Sequence, residues 1–329
     1  MIIVTGGAGF IGSALVWALN ARGERDIVIV DALDHDEKEH NVAPLAYERL
    51  LGGNEFRQQL AAGEFDRAEV KAVLHMGAIS STTEQDWNKL QDVNVSFTQE
   101  IIRWCADHSV RCVYASSGAV YGDGAAGYSD EAALFDRLQP LNLYGKSKLL
   151  VDIWARDGGY LKSAVGVRYF NVFGPDEYHK KHMRSVIAKK FDEVQRGEAL
   201  KLFRSNNVQY KDGEQQRDFL YVKDAAAATS FLLDQPQAAG VFNIGTGRAR
   251  TWNDVAHGLF GALRRQPCIE YIDLPADLKD QYQNFTQADI TRLRAAGWRQ
   301  KMTSLEDAVT EYVQQYLIPH RHLGEYTAF

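Results

Sequence analysis

Short apolar runs alternate with longer amphipathic segments through the first half of the chain. Most of these runs are unbroken and rich in β-branched residues, as parallel strands covered on both faces are. They span residues 1–5, 26–31, 72–76, 111–116 and 164–169. The segments between them have the pattern of helical crossovers, and the first helix is predicted over residues 13–20.

This order of elements predicts an α/β fold, a Rossmann-type doubly wound parallel sheet with a smaller, less regular α/β substrate domain. At 329 residues the chain exceeds the size at which one hydrophobic core stops growing, so two domains are expected. The regular alternation weakens after Gly174, and the polar stretch over 201–217 predicts a loop or hairpin. A helix at 222–233 and a strand at 241–244 are expected to return to the first domain. We divide the chain into 1–171 with 218–240, and 172–217 with 241–329.

Composition and charge narrow the class of partner. Hydrophobic residues make up 45% of the chain and charged residues 24%, which is ordinary for a globular protein. The net charge of -6 and the absence of a basic run favour a small-molecule partner over a nucleic acid. The three cysteines have no C-x-x-C spacing, which predicts a cytoplasmic protein without a metal site. No apolar run approaches the roughly 20 residues of a spanning helix, so no membrane association is expected.

Residues 5–12 read Thr-Gly-Gly-Ala-Gly-Phe-Ile-Gly and connect the first predicted strand to the first predicted helix. In such a turn, Gly6, Gly9 and Gly12 allow a tight bend, close approach of backbone N–H groups to a pyrophosphate, and close helix packing. Asp31 ends the second predicted strand, where a carboxylate can bind an adenosine ribose. Together these features predict that the first domain binds a nicotinamide dinucleotide.

The dinucleotide can be NAD or NADP, which differ by a phosphate on the 2′ oxygen of the adenosine ribose. Asp31 by itself favours NAD, whereas Lys38 in the same loop can neutralise a 2′-phosphate and favours NADP. Lys38 as a solvated surface charge would leave NAD. We predict NADP, with NAD as the alternative. The other predicted cofactor contacts are Phe10, Ile11, Ala32, Met76, Gly77, Ala78, Ile79, Ser80, Asn94 and Val172, while His75 is interpreted as structural.

A second constellation predicts the catalytic centre. Tyr144 and Lys148 are separated by one helical turn, which places both side chains on one helix face and beside the cofactor. A neighbouring ammonium and a positively charged nicotinamide both favour the phenolate, so Tyr144 can move the proton of a substrate hydroxyl while hydride passes to the cofactor. The small-residue loop after the fourth strand offers Ser117, or alternatively Ser116, as a hydrogen-bond donor to the reacting oxygen.

The glycine turn, the serine loop, the Tyr-x-x-x-Lys pair and residues 168–175 resemble the extended short-chain dehydrogenase and epimerase family over essentially the whole chain. Several later segments are similar to the ADP-heptose 6-epimerases within it. They are Glu-Tyr-His-Lys at 177–180, Leu-Phe-Arg-Ser at 202–205, Arg-Asp-Phe at 217–219, and residues 243–249 and 281–289. The resemblance implies inversion of C6 of ADP-glycero-manno-heptose, a lipopolysaccharide core precursor, by oxidation and re-reduction with bound NADP. It also implies a homo-oligomer, a pentamer.

The resemblance further implies a second proton carrier, because the sugar oxygen moves away from Tyr144 when the flexible end of the sugar turns over. Lys180 takes this role and also contacts the cofactor. The implied substrate contacts are Ser117, Asn171, His182, Lys189, Phe203, Arg204, Ser205, Asn206, Arg217 and Tyr282. Arg217 suits a diphosphate because a guanidinium can donate to it bidentately. A polar insertion over 208–215 precedes it.

Two other functions compete with this interpretation. One is another nucleotide-sugar enzyme on the same scaffold, such as a UDP-hexose 4-epimerase or a dehydratase. A dehydratase usually carries an Asp-Glu pair after the serine, whereas Gly118 and Ala119 follow Ser117 here. The other is a catalytically silent NADP-binding protein, since fold does not fix function. Intact Tyr144 and Lys148 argue against it.

Overall fold

The computed structural model describes residues 1–32, 36–66, 68–275 and 282–325. Its strands are β1 (Ile2–Thr5), β2 (Ile27–Val30), β3 (Arg49–Leu51), β4 (Ala72–His75), β5 (Arg111–Ser117), β6 (Val165–Tyr169), β7 (Asn171–Phe173), β8 (Leu200–Phe203), β9 (Gln216–Arg217), β10 (Phe219–Tyr221), β11 (Gly240–Ile244), β12 (Arg250–Thr251) and β13 (Ile269–Ile272). Its α-helices are α1 (Phe10–Ala21), α2 (Asp36–Val42), α3 (Gly53–Ala61), α4 (Trp87–Leu90), α5 (Phe97–Asp107), α6 (Leu143–Asp157), α7 (Val186–Gln195), α8 (Val222–Leu233), α9 (Trp252–Ala262), α10 (Thr291–Ala295) and α11 (Leu305–Glu311).

Shorter helical segments complete the described chain. Turns of 3₁₀ helix cover Gly118–Tyr121, Ala132–Arg137, Tyr160–Lys162 and Tyr178–Met183. Stretches of π-helix continue α4 over Gln91–Ser96 and α11 over Tyr312–Leu317.

A parallel sheet of seven strands, in the order β11-β6-β5-β4-β1-β2-β3, forms the centre of the described chain. Four of its inner strands, β1, β2, β4 and β6, are buried along their whole length. Alternate residues contribute to two different hydrophobic cores. Ile2 and Val4 pack in the core that contains α1 and α8, while Ile3 packs in the core that contains α3 and α5. Helices therefore cover both faces, which confirms the doubly wound sheet predicted from unbroken apolar runs.

β1 lies between β2 and β4 in the sheet. The chain first builds the sheet outwards on one side of β1, through β2 and β3, and then continues on the other side from β4. The carboxyl ends of β1 and β4 therefore border the crevice at the point where the strand order reverses. In open α/β sheets ligands bind at this switch point. The glycine-rich turn leaves β1 here, and residues 76–80 leave β4 here.

Three two-stranded pairings, β7 with β10, β8 with β13, and β9 with β12, lie outside the large sheet. The stretch over 201–217, expected to be a loop or hairpin, instead contributes most of β8 and all of β9 to two different pairings. Sequence analysis also missed β3, whose exposed first residue breaks the apolar pattern. β11 pairs with β6 in the large sheet. Our division placed residues from 241 onwards in the second domain, whereas this strand belongs to the sheet of the first.

We looked for membrane-spanning helices among the described residues and found none. No helix there combines the length and the apolar character needed to cross a bilayer.

Candidate active site

The glycine-rich turn joins the end of β1 to α1. Gly6 has a φ of +66°, and a Cβ on it would lie 2.7 Å from the backbone nitrogen of Gly77. A Cβ on Gly12 would lie 1.9 Å from the carbonyl oxygen of Gly6, so no larger side chain fits there. Gly9 precedes α1, and no side chain in the described chain caps that helix. Its first N–H groups are thus available to a phosphate, and the turn fits a pyrophosphate.

Asp31 anchors the loop after β2 to the glycine turn. One carboxylate oxygen accepts from the backbone nitrogen of Ala8 at 3.0 Å, and the other accepts from that of Ala32 at 2.8 Å. The Nζ of Lys38 donates to the second oxygen and to the carbonyl of Ala32, both at 3.1 Å. A cation therefore stands directly beside the carboxylate that was predicted to bind the adenosine ribose.

The turn and the ends of β2 and β4 border a cleft of about 370 Å³. Most predicted cofactor contacts line it, namely Gly6, Gly9, Phe10, Ile11, Gly12, Asp31, Lys38, Met76, Gly77, Ala78, Ser80 and Lys180. His179 and Met183 also line it. Neither was a predicted contact, although His179 lies in the Glu-Tyr-His-Lys segment at 177–180. Val172 packs from β7 against the main hydrophobic core and is not among the described lining residues. The same is true of Ala32, Ile79, Asn94, Tyr144 and Lys148, none of which is among the described lining residues.

Asn94 connects the cleft wall to the helix that carries Tyr144. Its side chain is fully buried, accepts from the backbone nitrogen of Ile79 at 2.8 Å and donates to the Ile79 carbonyl at 3.0 Å. It also donates to the Oγ of Ser147 at 3.0 Å, and that hydroxyl donates to the Tyr144 carbonyl at 2.7 Å. Asn94 therefore joins the cleft wall at Ile79 to α6. The hydrogen bonds of its side-chain amide described here are all made to protein groups.

Ser117, Tyr144 and Lys148 lie where β5 ends and α6 begins. The Ser117 side chain hydrogen-bonds the Tyr144 phenol, and the Nζ of Lys148 donates to the Ala115 carbonyl at 2.8 Å. Burial raises the pKa of Tyr144, while the Ser117 hydrogen bond lowers it. Burial therefore opposes the phenolate that the ammonium and a bound nicotinamide were together expected to favour.

Burial lowers the pKa of Lys148 to about 8, while the Asp152 carboxylate raises it. Asp152 lies one turn after Lys148 on α6 and is fully buried. It accepts from the Nε of Arg168 and the Oγ of Ser116, each at 2.9 Å, and from the hydroxyl of Tyr114 at 3.0 Å. Ser116, the weaker sequence candidate, therefore supports Asp152, while Ser117 contacts the phenol. The helical spacing Tyr-x-x-x-Lys-x-x-x-Asp was the overlooked signal for Asp152.

His75 lies beneath this centre and makes hydrogen bonds only within the buried protein interior that the structure describes. Its Nδ1 lies 2.6 Å from the Oγ1 of Thr5, and its Nε2 lies 2.9 Å from the Oγ1 of Thr98. Burial, with a smaller contribution from Lys148, lowers the pKa of His75 to about 3. The imidazole is therefore neutral at physiological pH and has the structural role expected for it.

Lys180 enters the cofactor cleft from the 3₁₀ turn Tyr178–Met183. Its Nζ lies 5.3 Å from the centroid of the Phe10 ring at the start of α1. Burial lowers the pKa of Lys180, and the buried carboxylate of Glu177 raises it. The structure thus places a desolvated amine in the same cleft as the glycine turn and residues 76–80.

Two cavities collect most of the predicted substrate contacts. His182, Lys189, Phe203 and Tyr282 line the larger one, of about 900 Å³. Asn171, Arg217 and Tyr282 line the smaller one, of about 270 Å³. Tyr282 and Trp252 line both cavities, so these two rings form part of a shared wall. No sequence pattern had indicated Trp252.

Arg217 is held between aromatic rings at the smaller cavity. Its guanidinium carbon lies 5.3 Å from the Tyr282 ring centroid and 5.8 Å from that of Trp252. Its terminal nitrogens donate to the carbonyls of Gln216 and Gln283. Of the five N–H donors of a guanidinium, the second N–H of each terminal nitrogen and the Nε–H take no part in these two bonds and could donate to a diphosphate. Burial lowers the pKa of Arg217.

Arg204, Ser205 and Asn206 follow β8 and are not among the described residues that line either cavity. The NH1 of Arg204 lies 3.0 Å from a carboxylate oxygen of Asp273. The backbone nitrogen of Ser205 donates to Asp212 at 2.9 Å, and its hydroxyl donates to the Asn207 carbonyl at 2.8 Å. Asn206 is exposed. Asp212 belongs to the polar segment 208–215, so a contact from this segment holds the loop after β8.

Comparison with known proteins connects this geometry to a family. Residues 2–245 match the NAD dependent epimerase/dehydratase family. The chain is 48% identical over 317 residues to an ADP-L-glycero-D-manno-heptose-6-epimerase of Nitratidesulfovibrio vulgaris strain DP4, covering 96% of this chain and 98% of the relative. An enzyme of the same name from Fusobacterium nucleatum is 41% identical over 326 residues, with coverages of 96% and 98%.

A solved structure agrees with these relatives. The Helicobacter pylori ADP-L-glycero-D-manno-heptose-6-epimerase superposes with a TM-score of 0.80 at 25% identity and covers 95% of both chains. Fold, motifs and relatives therefore lead to one assignment. The chain belongs to the NAD dependent epimerase/dehydratase family and, within it, to the ADP-L-glycero-D-manno-heptose-6-epimerases.

Proposed function

We propose that the protein inverts C6″ of ADP-D-glycero-D-manno-heptose to give the L-glycero isomer, using bound NADP. In the cell this would supply a lipopolysaccharide core precursor in the cytoplasm. The names of relatives at 41% and 48% identity support the substrate. The observation that carries the reaction is the placement of a second desolvated amine, Lys180, in the dinucleotide cleft.

The bound nicotinamide would accept hydride from C6″ and return it to the opposite face of the resulting ketone. Tyr144 would act as the phenolate, which the positive charges of Lys148 and of a bound nicotinamide favour, and would take the proton of the C6″ hydroxyl as hydride leaves. Ser117, which already contacts the phenol, hydrogen-bonds the same sugar oxygen. Lys148 holds positive charge beside them, because its pKa of about 8 keeps most of it protonated at neutral pH.

Inversion requires that the ketone presents its other face, which carries its oxygen away from Tyr144. Lys180 then protonates the oxygen in the new orientation. Its desolvated ammonium gives up a proton more readily than one in water, because burial lowers the pKa of this lysine. Lys180 lines the dinucleotide cleft, and the Asn94 bridge from Ile79 to Ser147 joins the wall of that cleft to the helix that carries Tyr144.

Turnover of ADP-D-glycero-D-manno-heptose by the purified protein tests this proposal. Tyr144→Phe and Lys180→Met should each lower kcat by at least a hundredfold, while Lys162→Met, at an exposed lysine, should match the wild type. In D₂O the product should carry no deuterium at C6″, because the hydride removed is the one returned. Deuterium at C6″, or full activity in Tyr144→Phe, would contradict the mechanism. If the protein epimerises UDP-glucose and not ADP-heptose, the substrate assignment is wrong and the UDP-hexose 4-epimerase alternative takes its place.

The cofactor is a separate part of the proposal. Lys38 lies 3.1 Å from Asp31 and partly neutralises the carboxylate that would otherwise repel a 2′-phosphate, which supports NADP. Denaturing the purified protein should release a 2′-phosphorylated nucleotide. Lys38→Met should lower the preference for NADP over NAD by at least tenfold. Release of unphosphorylated NAD would refute the NADP assignment and leave the epimerase proposal intact.

Assembly is the remaining part. We propose a homo-oligomer, a pentamer as the family resemblance implies. Light scattering on the purified protein tests it, and a monomeric mass would refute it.

A further inference from the structure

A cluster of potential metal ligands lies outside the catalytic centre. Glu37 and His40 lie one turn apart on α2, and His322 comes from the segment after α11. The Oε2 of Glu37 lies 3.8 Å from the Nε2 of His322 and 3.9 Å from the Nδ1 of His40. The three ligand atoms all lie within 4.8 Å of one another. Neighbouring ligand atoms around a tetrahedral zinc ion are about 3.4 Å apart, so a small contraction would suffice.

The tautomer of the neutral His322 ring follows from its neighbours. Asn41 donates through Nδ2 to the carbonyls of Ala8 and Asp176, at 3.0 and 3.2 Å, which orients its Oδ1 as an acceptor. The Nδ1 of His322 lies 2.9 Å from this Oδ1 and 3.4 Å from a carboxylate oxygen of Asp176. Two acceptors therefore face Nδ1, so Nδ1 carries the hydrogen.

In the neutral ring, the Nε2 of His322 then presents a lone pair towards the carboxylate of Glu37. Two electron-rich atoms face each other at 3.8 Å, an arrangement that a cation between them stabilises. A ring N–H donated to a carboxylate or carbonyl oxygen is also the arrangement that orients most metal-binding histidines. His322 is buried, so its orientation is set by these contacts and is not averaged by solvent.

We propose that Glu37, His40 and His322 bind one divalent transition-metal ion of the zinc class, with water completing the coordination. Two imidazole nitrogens and one carboxylate oxygen form a donor set that suits Zn²⁺ better than Mg²⁺ or Ca²⁺, which prefer oxygen ligands alone. The sequence had predicted no metal site. The third ligand lies almost the whole chain away from the other two, so no spacing pattern reveals it.

The ion would act as a structural clamp. It would hold the segment after α11 against α2, which also carries Lys38 of the dinucleotide site. Asn41, on the same helix, donates to the carbonyl of Ala8 in the glycine turn. The clamp thus supports the loop that contacts the cofactor, and it does not depend on which sugar the protein converts.

Zinc titration of the chelator-treated full chain tests the proposal. Calorimetry should detect one high-affinity Zn²⁺ per chain, and Zn²⁺ should raise the melting temperature because the ligands join distant segments. His40→Ala and Glu37→Gln should each weaken binding at least tenfold and remove most of that rise. His40 is exposed at 60% of its side chain, so its replacement leaves the core intact.

Two control variants separate this site from other zinc ligands. His257→Ala removes another exposed helical histidine, and Cys268→Ser removes the exposed thiol. Both should bind Zn²⁺ with the affinity of the wild type. Equal affinity in His40→Ala and the wild type, loss of binding in either control, or no binding by the wild type would overturn the proposal.

Discussion

Asp152→Asn is the substitution that most directly tests the buried electrostatics behind the catalytic helix. Asp152 and Arg168 are both fully buried, and their closest charged atoms are 2.8 Å apart. Two hydroxyls, those of Tyr114 and Ser116, also donate to the carboxylate. Asparagine removes the negative charge and offers an amide N–H₂ group towards these donors. The variant therefore leaves the Arg168 guanidinium buried without its counter-charge.

Removing one partner of a buried ion pair typically costs about 3–5 kcal/mol. A loss of about 4 kcal/mol lowers the ratio of folded to unfolded protein about a thousandfold. Asp157→Asn provides a matched control on the same helix, because Asp157 pairs with Arg156 at 2.7 Å but is 61% exposed. An exposed pair of this kind contributes about 0–1 kcal/mol. The difference between the two variants measures what burial contributes.

Urea unfolding followed by tryptophan fluorescence measures both changes. The midpoint should fall strongly in Asp152→Asn and hardly at all in Asp157→Asn. Adding Arg168→Met to Asp152→Asn should recover part of the loss, because the double variant no longer buries an unpaired charge. Equal midpoints for the two single variants would refute the assignment of Asp152 as a buried counter-charge.

Three further predictions concern the glycine turn and two titrating groups. Gly12→Ala should abolish dinucleotide retention, because its Cβ would lie 1.9 Å from the Gly6 carbonyl oxygen, and nucleotide release on denaturation measures this. Gly261→Ala, in a helix with no atom within 4 Å of the new Cβ, should instead stabilise the protein by up to about 1 kcal/mol. Turnover should fall as pH rises through about 8, the pKa of Lys148, and this limb should move to lower pH in Asp152→Asn; an unmoved limb would contradict the coupling. Burial lowers the pKa of His75 from 6.5 to about 3, so the unfolded chain binds more protons and stability should decrease as pH falls from 6.5 towards 3. Thermal melts should show a weaker pH dependence in His75→Gln, and an identical dependence would contradict this contribution.

The sheet and the dinucleotide cleft were predictable because their signals are local. Apolar runs with turn residues located five strands to within one residue at each end, and the glycine turn lies between β1 and α1 as expected. Sequence analysis did not predict β3, because this strand is short and has one exposed and one half-exposed residue, which leaves its apolar pattern incomplete.

The substrate side was less predictable because its contacts join distant parts of the chain. Residues 202–206 looked like one binding segment, yet only the Phe203 end lines a cavity, while Arg204 turns to Asp273. Trp252 reaches both cavities from the first turn of α9, a position that carries no local motif. Long-range packing, which one sequence does not display, decides these placements.

Each of the two proposed proton carriers depends on a buried lysine. For Tyr144 this is the neighbouring Lys148, whereas Lys180 is itself the proposed carrier. Both lysines are desolvated, and each has a buried carboxylate as its neighbour. Asp152 raises the pKa of Lys148 and Glu177 raises that of Lys180, in both cases against the larger effect of burial. Burial has the larger effect in both cases, so the pKa of each lysine lies below that of a solvated amine. The proposed mechanism moves protons on both faces of one carbon, and it would use this balance once at α6 and once at the turn that precedes α7.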